Sequence, residues 1–208
     1  MSARVHPTAI LEPDVRLGEG TSVWDNVHIR RGASIGENCI VGEKSYIAYD
    51  VEIASMVKIN AFVYICAGVT IERGVMVSAG TVFTNDRFPR ATTPDLGSLR
   101  SSAPDEHTLP TLVREGATIG AGATIGNDLS IGRFAMVGMG ALVTKTVPDF
   151  HLVLGQPAKA VGVVCRCGEV VLRSRSLDSV TSDKEDCTAC GLSYAITEGR
   201  VSELAPPE

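Results

Sequence analysis

Aromatic residues and long hydrophobic runs are both scarce in this chain of 208 residues. Phenylalanine, tryptophan and tyrosine together make up 5% of the sequence, whereas hydrophobic residues make up 44% and charged residues 21%. That balance excludes an intrinsically disordered chain, which combines low hydrophobicity with high net charge. No apolar run reaches the roughly 18 residues of a membrane-spanning helix, and residues 1–7 lack the apolar core of a signal peptide. We therefore expect a cytoplasmic protein that has no membrane partner.

An excess of positive charge is also missing. The formal net charge is −5, which argues against a generally basic nucleic-acid-binding protein but leaves local basic pockets possible. The length suits one or two domains with a sizeable core. Few aromatics beside 21 glycines are unusual for an ordinary globular core and indicate an internal repeat.

A period of six residues runs through most of the chain. Steps of six from Val5 to Phe83 meet thirteen aliphatic residues and one phenylalanine, and the same phase resumes from Val113 to Val143. A second small or β-branched residue follows four positions after all of these except Phe83, which is followed by Arg87, and Ile125, which is followed by Leu129. An even spacing puts both side chains on one face of an extended strand, whereas a period of six fits a helix badly.

Short strands joined by corners every six residues predict a solenoid with three strands in each triangular coil. Twenty hexapeptides give six to seven coils and, at roughly 4.8 Å per stacked strand, a prism about 30 Å long. The narrow interior accounts for the few aromatics. Glycines that directly follow the repeated aliphatic residue are expected to supply permissive backbone at tight corners. These glycines are Gly18, Gly36, Gly42, Gly120, Gly126, Gly132 and Gly138.

The repeats I-G-E-N-C-I, V-G-E-K-S-Y, I-G-A-G-A-T and I-G-R-F-A-M resemble those of the hexapeptide-repeat acyltransferases. The resemblance implies an all-β, left-handed parallel β-helix that assembles as a homotrimer and holds acyl-CoA in the groove between neighbouring prisms. The handedness rests on the resemblance alone, because crossovers between parallel strands are generally right-handed. The γ-class carbonic anhydrases and some scaffold subunits share the same repeat.

Residues 84–112 interrupt the repeat and hold four prolines. A structureless loop of this length in a compact fold is usually functional. It opens with F-T-N-D-R-F-P-R-A, which resembles the N-acetyltransferases that acetylate the amino group of UDP- or dTDP-linked sugars, typically 3-amino sugars made for surface polysaccharides. The resemblance continues in L-V-R-E-G-A-T-I-G-A, G-M-G-A-L-V-T-K-T-V-P-D-F and L-G-Q-P-A-K, and it covers residues 5 to about 162.

Acetylation of an amine makes modest demands on a protein. An amine beside electron-withdrawing oxygens has a pKa near or below the ~7.7–8.0 of an α-amino group, so much of it is neutral at pH 7. The leaving thiolate, of pKa about 8.5, can take up the proton, so a dedicated base is not compulsory. The resemblance implies that Asn85 accepts a hydrogen bond from the amine and that Asp86 acts as a base or as a partner for a cationic amine. The alternative for both residues is ordinary turn chemistry.

Further polar candidates lie on the early coils and in the loop. His28 points outward and is the best alternative base. Arg30 and Arg31 beside it are candidates for substrate binding. Arg87 and Arg90 either contact phosphates of the substrate or tie the loop to a neighbour.

The resemblance puts the acetyl-CoA site on the last coils. Two lysines there are placed to contact its phosphates, and small residues leave room for the pantetheine arm. The candidates are Ala121, Gly122, Gly138, Met139, Gly140, Lys145 and Lys159.

Cysteine pairs mark a change of composition near the C-terminus. Cys165-Arg-Cys167-Gly and Cys187-Thr-Ala-Cys190-Gly suit a tetrahedral four-thiolate zinc site, although the first pair lacks the usual two-residue spacer. Four protein ligands leave no open position, which favours a structural ion. Some forty residues cannot bury enough surface to fold alone. We therefore predict a zinc-ribbon-like module at residues 163–202, after an acyltransferase domain at residues 1–162, with a hairpin arm between the pairs.

Three other functions remain open at this stage. An O-acetyltransferase of the same fold would use His28 or His107 to deprotonate a hydroxyl. A non-enzymatic trimeric scaffold would bind a sugar nucleotide without turnover. A γ-class carbonic anhydrase needs three histidines on zinc, and the four histidines here include no paired motif.

Overall fold

The chain forms a solenoid of short parallel strands, and the computed structural model describes residues 2–174 and 176–206. Three successive strands, one in each of three parallel sheets, make one coil. Between residues 4 and 83 paired positions lie 18 residues apart, as in Leu11 with Ile29 and Ile29 with Ile47. The predicted all-β solenoid is confirmed, and its three parallel sheets are consistent with a left-handed β-helix.

The three sheets of the solenoid are named A, B and C. Sheet A contains β1 (Arg4–Val5), β4 (Ser22–Val23), β7 (Ile40–Val41), β10 (Lys58–Ile59), β13 (Met76–Val77), β16 (Thr118–Ile119), β19 (Met136–Val137), β21 (His151–Leu154), β22 (Lys159–Val164) and β23 (Val170–Arg173). Sheet B contains β2 (Ile10–Leu11), β5 (His28–Ile29), β8 (Tyr46–Ile47), β11 (Tyr64–Ile65), β14 (Val82–Phe83), β17 (Thr124–Ile125) and β20 (Leu142–Val143). Sheet C contains β3 (Arg16–Leu17), β6 (Ser34–Ile35), β9 (Glu52–Ile53), β12 (Val69–Ile71), β15 (Thr111–Val113) and β18 (Leu129–Ile131).

The core of the solenoid is the interior of the prism. The repeated aliphatic residues of the central coils, such as Ile47 and Ile65, are fully buried, and small partners such as Val51 and Ala117 fill the space between them. Phe83 is the one aromatic residue at a repeated position and is buried as well. Among the described residues, no helix is long and apolar enough to cross a membrane.

The glycines after the repeated aliphatic residue have a different role from the predicted one. The corner residue with positive φ lies two positions further on and is often not glycine, as at Asn38, Lys44 and Phe62. Gly36 has no positive φ, but a Cβ there would lie 2.5 Å from the backbone N of Ser55 in the next coil. Close stacking of the coils therefore requires these glycines, and the corner-based explanation was wrong.

The interruption of the repeat is shorter and more ordered than predicted. Strand β15 begins at Thr111, so the loop spans residues 84–110. Two isolated antiparallel bridges, Asp86 with Thr108 and Thr92 with Leu99, fold the loop back on itself. The loop is therefore not structureless, and its two ends are held together beside sheet B.

The C-terminal region continues sheet A before it forms a sheet of its own. Strands β21, β22 and β23 pair antiparallel, and a 3-10 turn at Leu177–Ser179 follows. Sheet D then contains β24 (Ser182–Asp186), β25 (Ser193–Thr197) and β26 (Arg200–Glu203).

The observed strands can be compared with the predicted domain boundary and with the predicted hairpin arm. The division at residue 162 falls inside the continuous strand β22. The segment between the cysteine pairs was predicted to be a hairpin arm, and β23 lies in it and pairs antiparallel with β22. This hairpin encloses the first cysteine pair. Arg175, within the predicted arm, lies outside the described residues.

Candidate active site and thiol cluster

An open cavity of about 1000 Å³ lies between the outer face of sheet B and the loop. Its floor comes from stacked coils, with Tyr46 and Tyr64 on strands and Cys66 and Ala67 beyond them. The side wall comes from the loop, which contributes Asn85 among other residues. The cavity forms here because the loop leaves the prism at the end of β14 and returns at β15, so that it stands over the neighbouring coils.

Asn85 follows β14 directly and lies where the loop meets the coils. Its side-chain Nδ2 donates to the carbonyl oxygen of Ala67 at 3.0 Å, and its backbone oxygen accepts from the N–H of Leu109 at 2.8 Å. These bonds fix the orientation of the amide. In the described part of the chain no donor contacts Oδ1, so this oxygen is available to a ligand in the cavity.

Asp86 lines the same cavity but is also tied to the loop. Its Oδ1 accepts from the backbone N–H of Phe88 at 2.9 Å, which is the turn geometry that aspartate commonly makes. Asp86 therefore lines the cavity and also makes an ordinary turn. The side chain of Asn85 instead bonds to a residue of a different coil.

Glu12 joins several of the polar residues from the early coils. Its carboxylate lies 3.1 Å from Nε2 of His28 and 2.6 Å from Nε of Arg30, and it accepts from the backbone N–H of Arg31 at 3.0 Å. Partial burial acts to raise the pKa of Glu12, but the bonds from Arg31, Arg30 and His28 outweigh it and hold the pKa below its ordinary value. Glu12 and Arg30 line the cavity, whereas His28 lies behind them and does not.

Arg30 is fixed from several sides. Its hydrogen bond to Glu12 raises the pKa of the guanidinium further. One of its terminal nitrogens donates to the hydroxyl of Tyr46 at 2.7 Å, and the group lies 4.1 Å from the ring centre of Tyr49. The ring of Tyr46 stacks on Tyr64 at 5.2 Å. The result is a rigid positive group in the cavity wall.

The charges that line the cavity are balanced in number. The four positive side chains are Arg30, Arg31, Arg90 and Arg100. The four negative side chains are Glu12, Asp50, Asp86 and Asp105. Arg100 is 3.6 Å from a carboxylate oxygen of Asp105. Within residues 2–174 and 176–206, the side chains of Arg31 and Arg90 form no ion pair. Arg87 does not line the cavity and instead packs 5.6 Å from the ring of Phe88.

Several cavity residues were missed in the sequence. Tyr46 and Tyr64 occupy the same outward position 18 residues apart, one coil in the repeat, so counting along that period could have found them. The same count could have found Glu12, which lies one coil before Arg30. Arg100 carries no such signal, because a loop of irregular sequence brings it to the cavity.

Most of the candidates for acetyl-CoA binding lie along the edge of sheet B opposite the loop. The corners between sheets A and B stack there, with Gly122 N bonded to Ala79 O and Gly140 N bonded to Ala121 O. A Cβ on Gly122 or Gly140 would meet nothing within 4 Å, and Met139 is 84% exposed. This edge is therefore open to a ligand.

The remaining acetyl-CoA candidates are placed differently. Gly138 faces Leu154, because a Cβ there would overlap that side chain. Lys145 and Lys159 are exposed, and neither lines the cavity.

Cys66 lies in the cavity floor but is a poor nucleophile. Burial raises the pKa of its thiol to about 12, and the thiolate is the reactive form. Cys39 is buried inside the prism.

The structure brings the four remaining cysteines together away from the cavity. The sulfur atoms of Cys165, Cys167, Cys187 and Cys190 all lie within 4.8 Å of one another. A backbone N–H of Cys190 bonds to the Cys187 sulfur and lowers the pKa of that thiol to about 7. Four thiols at such distances suit a soft divalent cation such as Zn²⁺.

Comparison with known proteins agrees with this architecture. The bacterial transferase hexapeptide family (six repeats) matches residues 14–49. A dTDP-3-amino-3,6-dideoxy-alpha-D-galactopyranose 3-N-acetyltransferase from Aneurinibacillus thermoaerophilus is 42% identical over 200 residues, which are 96% of this chain and 94% of that protein. An acyl-[acyl-carrier-protein]--UDP-N-acetylglucosamine O-acyltransferase from Brucella ovis is 51% identical over 35 residues, 17% of this chain and 13% of that protein.

Among solved structures, PerB from Caulobacter crescentus in complex with CoA and GDP-perosamine has a TM-score of 0.48 and 22% identity. The match covers 78% of this chain and 58% of PerB. The relative from Aneurinibacillus thermoaerophilus carries the assignment, because it matches nearly end to end. The chain therefore belongs to the hexapeptide-repeat acyltransferases, in the branch of the nucleotide-linked amino-sugar N-acetyltransferases.

Proposed function

We propose that this enzyme transfers the acetyl group of acetyl-CoA to the amine of a dTDP-linked 3-amino sugar. The observation that carries the substrate class is the 42% identity to a dTDP-3-amino-sugar 3-N-acetyltransferase along 96% of the chain. The cavity supports the same chemistry, since it offers an acceptor oxygen and two arginines, Arg31 and Arg90, that form no ion pair with any described residue.

The proposed role of Asn85 is to orient the acceptor amine. Its Oδ1 accepts a hydrogen bond from the neutral amine and so directs the nitrogen lone pair towards the thioester carbonyl. The new C–N bond forms on attack, the C–S bond breaks, and the proton released by nitrogen passes to the leaving thiolate. Asp86 lies beside this path as a partner for the amine in its cationic form. Positioning of the two reactants then supplies most of the rate acceleration.

Arg31 and Arg90 are the proposed partners of the substrate diphosphate. Both line the cavity, and a guanidinium forms paired hydrogen bonds to phosphate oxygens. Arg30 contributes a fixed charge nearby, while Arg87 meets a phosphate only if the loop shifts. The proposed role of His28 is to orient Glu12.

Acetyl-CoA would run along the open edge of sheet B. Ala121, Gly122, Met139 and Gly140 line this edge, with Gly138 beneath it. Lys145 and Lys159 would contact the phosphates of the cosubstrate as point charges.

A homotrimer is part of the proposal. The edge and outer face of sheet B expose apolar side chains, among them Phe62 at 59% and Met139 at 84%, and neighbouring copies would cover them. Light scattering should then give three times the chain mass of 21.9 kDa.

The reaction is assigned to the cytoplasm, where thiols stay reduced. Any Zn²⁺ held by the four clustered cysteines is structural in this proposal, because none of the four lines the cavity.

The test is release of CoA from acetyl-CoA against a panel of dTDP- and UDP-linked amino sugars. We expect turnover with a dTDP-linked 3-amino sugar and none with the analogue that carries a hydroxyl at the same carbon. If trimeric protein releases no CoA with any sugar of the panel, the proposal is contradicted.

O-acetylation is the second candidate, because Glu12 holds Nε2 of His28 at 3.1 Å, as a carboxylate does beside a basic histidine. In that case His28→Ala loses all activity while Asn85→Ala stays active. The ring of His107 instead packs against Phe88 at 5.8 Å, and this histidine does not line the cavity.

A further inference from the structure

The four clustered cysteines come from two chain segments that fold in similar ways. In the first segment the N–H of Gly168 donates to Cys165 O at 2.9 Å, and in the second the N–H of Gly191 donates to Cys187 O at 2.9 Å. Gly168 and Gly191 both have positive φ, which lets each turn close tightly behind its second cysteine. Two such turns face each other and bring four sulfurs together.

The distances between the sulfurs fit a metal and do not fit disulfides. Cys165 and Cys190 are 3.4 Å apart, and Cys167 and Cys187 are 3.6 Å apart. A tetrahedron with Zn–S bonds of about 2.3 Å has edges of about 3.8 Å, whereas a disulfide requires about 2.05 Å. The close pairs also join one segment to the other, as expected when all four surround a single centre.

Polar groups around the cluster suit thiolate ligands. The hydroxyl of Tyr194 donates to the sulfur of Cys165 at 2.9 Å, and the same hydroxyl accepts from the N–H of Arg166 at 3.1 Å. Donors of this kind orient and stabilise metal-bound ligands. Tyr194 is fully buried, so its hydroxyl depends on these two partners.

The cluster lies where the C-terminal segment joins the last coils. Phe150 is 5.5 Å from Phe134 of the solenoid and 5.4 Å from Tyr194 of sheet D. Arg166 lies 4.5 Å from the ring of Phe134 and binds the carboxylate of Glu203 with two nitrogens. A metal at the cluster would therefore tie sheet D to the solenoid at one point.

We propose that Cys165, Cys167, Cys187 and Cys190 bind one Zn²⁺ in a closed tetrahedral site that fastens residues 176–206 to the last coils. The ion supplies folding free energy that this short segment cannot obtain from its own core. The site is independent of acetyl transfer, and its test needs no substrate.

The experiment measures metal content and thermal unfolding on the full-length chain. We expect one zinc per chain, and a cobalt-substituted sample with the absorption of tetrahedral thiolate coordination. Cys190→Ser should lose the metal and lower the melting temperature by on the order of 10 °C. Because Cys190 is exposed, the loss cannot come from core packing.

Cys39→Ser is the matched control, since Cys39 lies inside the prism, and it should keep the zinc. If Cys190→Ser protein does not fold, chelation of the wild type replaces it. Hydrogen exchange should then rise in residues 176–206 and stay low in the central coils. The proposal is overturned if wild-type protein without zinc is as stable as wild-type protein with zinc. It is also overturned by an intact mass that shows two disulfides.

Discussion

The cavity beside sheet B and the thiol cluster near the C-terminus depart from the hexapeptide repeat in opposite ways. The cavity is lined by exposed and half-buried polar groups, and Oδ1 of Asn85 is left for a ligand. The thiol cluster is surrounded by buried side chains such as Tyr194 and Ile196, and its polar groups bond to one another. With the roles proposed above, the departure on the side of the solenoid supplies chemistry, whereas the departure at its end supplies stability.

The comparison is tested most strongly at Asn85. Asn85→Ala removes the oxygen that orients the amine, and we expect kcat/KM to fall about 100-fold because misplaced reactants lose most of their proximity advantage. The melting temperature should change little, since one partly exposed hydrogen bond is lost. Steady-state kinetics and thermal unfolding together check this, with Asn127→Ala at a later corner as the control. Unchanged kinetics would remove Asn85 from the reaction.

A loss of stability without a loss of activity is expected at Gly162, in the strand that leads to the thiol cluster. A Cβ there would lie 2.4 Å from the carbonyl oxygen of Leu172, so Gly162→Ala must push β22 and β23 apart. We expect a loss of about 1–3 kcal/mol of unfolding free energy, measured by urea titration, with kcat unchanged in the folded protein. Gly97→Ala in the exposed loop meets only the flexible Asp95 side chain and should cost little. Equal effects in the two variants would contradict the account.

A smaller effect separates two arginines of the same loop. Arg90 lines the cavity and Arg87 packs against Phe88, so Arg90→Ala should raise the KM for the sugar nucleotide about tenfold, the loss of one charged hydrogen-bonding partner. Arg87→Ala should raise it less. The reverse order in a substrate titration would mean that the loop changes shape when substrate binds.

The smallest predicted effect is the pH dependence of stability at Glu12. Its pKa is held below the ordinary 4.5 in the folded chain, so the folded state binds fewer protons than the unfolded state between these values. This contribution to stability is present above about pH 4.5 and is lost as the pH falls through the depressed pKa. Melting temperatures from pH 3 to 7 should therefore fall less steeply in acid for Glu12→Gln than for the wild type. Identical slopes would show that the carboxylate is not held in this way.

The regular parts of the molecule could be predicted from the sequence, because each hexapeptide repeats the same pattern of inward-facing residues followed by a corner. The positions of the strands, the residues of the prism interior and the clustering of the four cysteines follow from spacing alone. The reason for Gly36 could not be found that way, since the atom it avoids belongs to the next coil. The Glu12–Arg30 pair follows the period, since the two residues lie one coil apart. The contact of Arg100 with Asp105 depends on how the loop folds, which no periodicity encodes.

The central claim is that the acceptor amine meets Asn85 in the cavity. A crystal structure of the enzyme with CoA and an unreacted dTDP-linked 3-amino sugar tests it most directly. The account predicts the amine nitrogen within about 2.7–3.2 Å of Asn85 Oδ1, with the diphosphate near Arg31 or Arg90. A sugar bound elsewhere, or an amine that contacts His28 while Asn85 faces away, would contradict it.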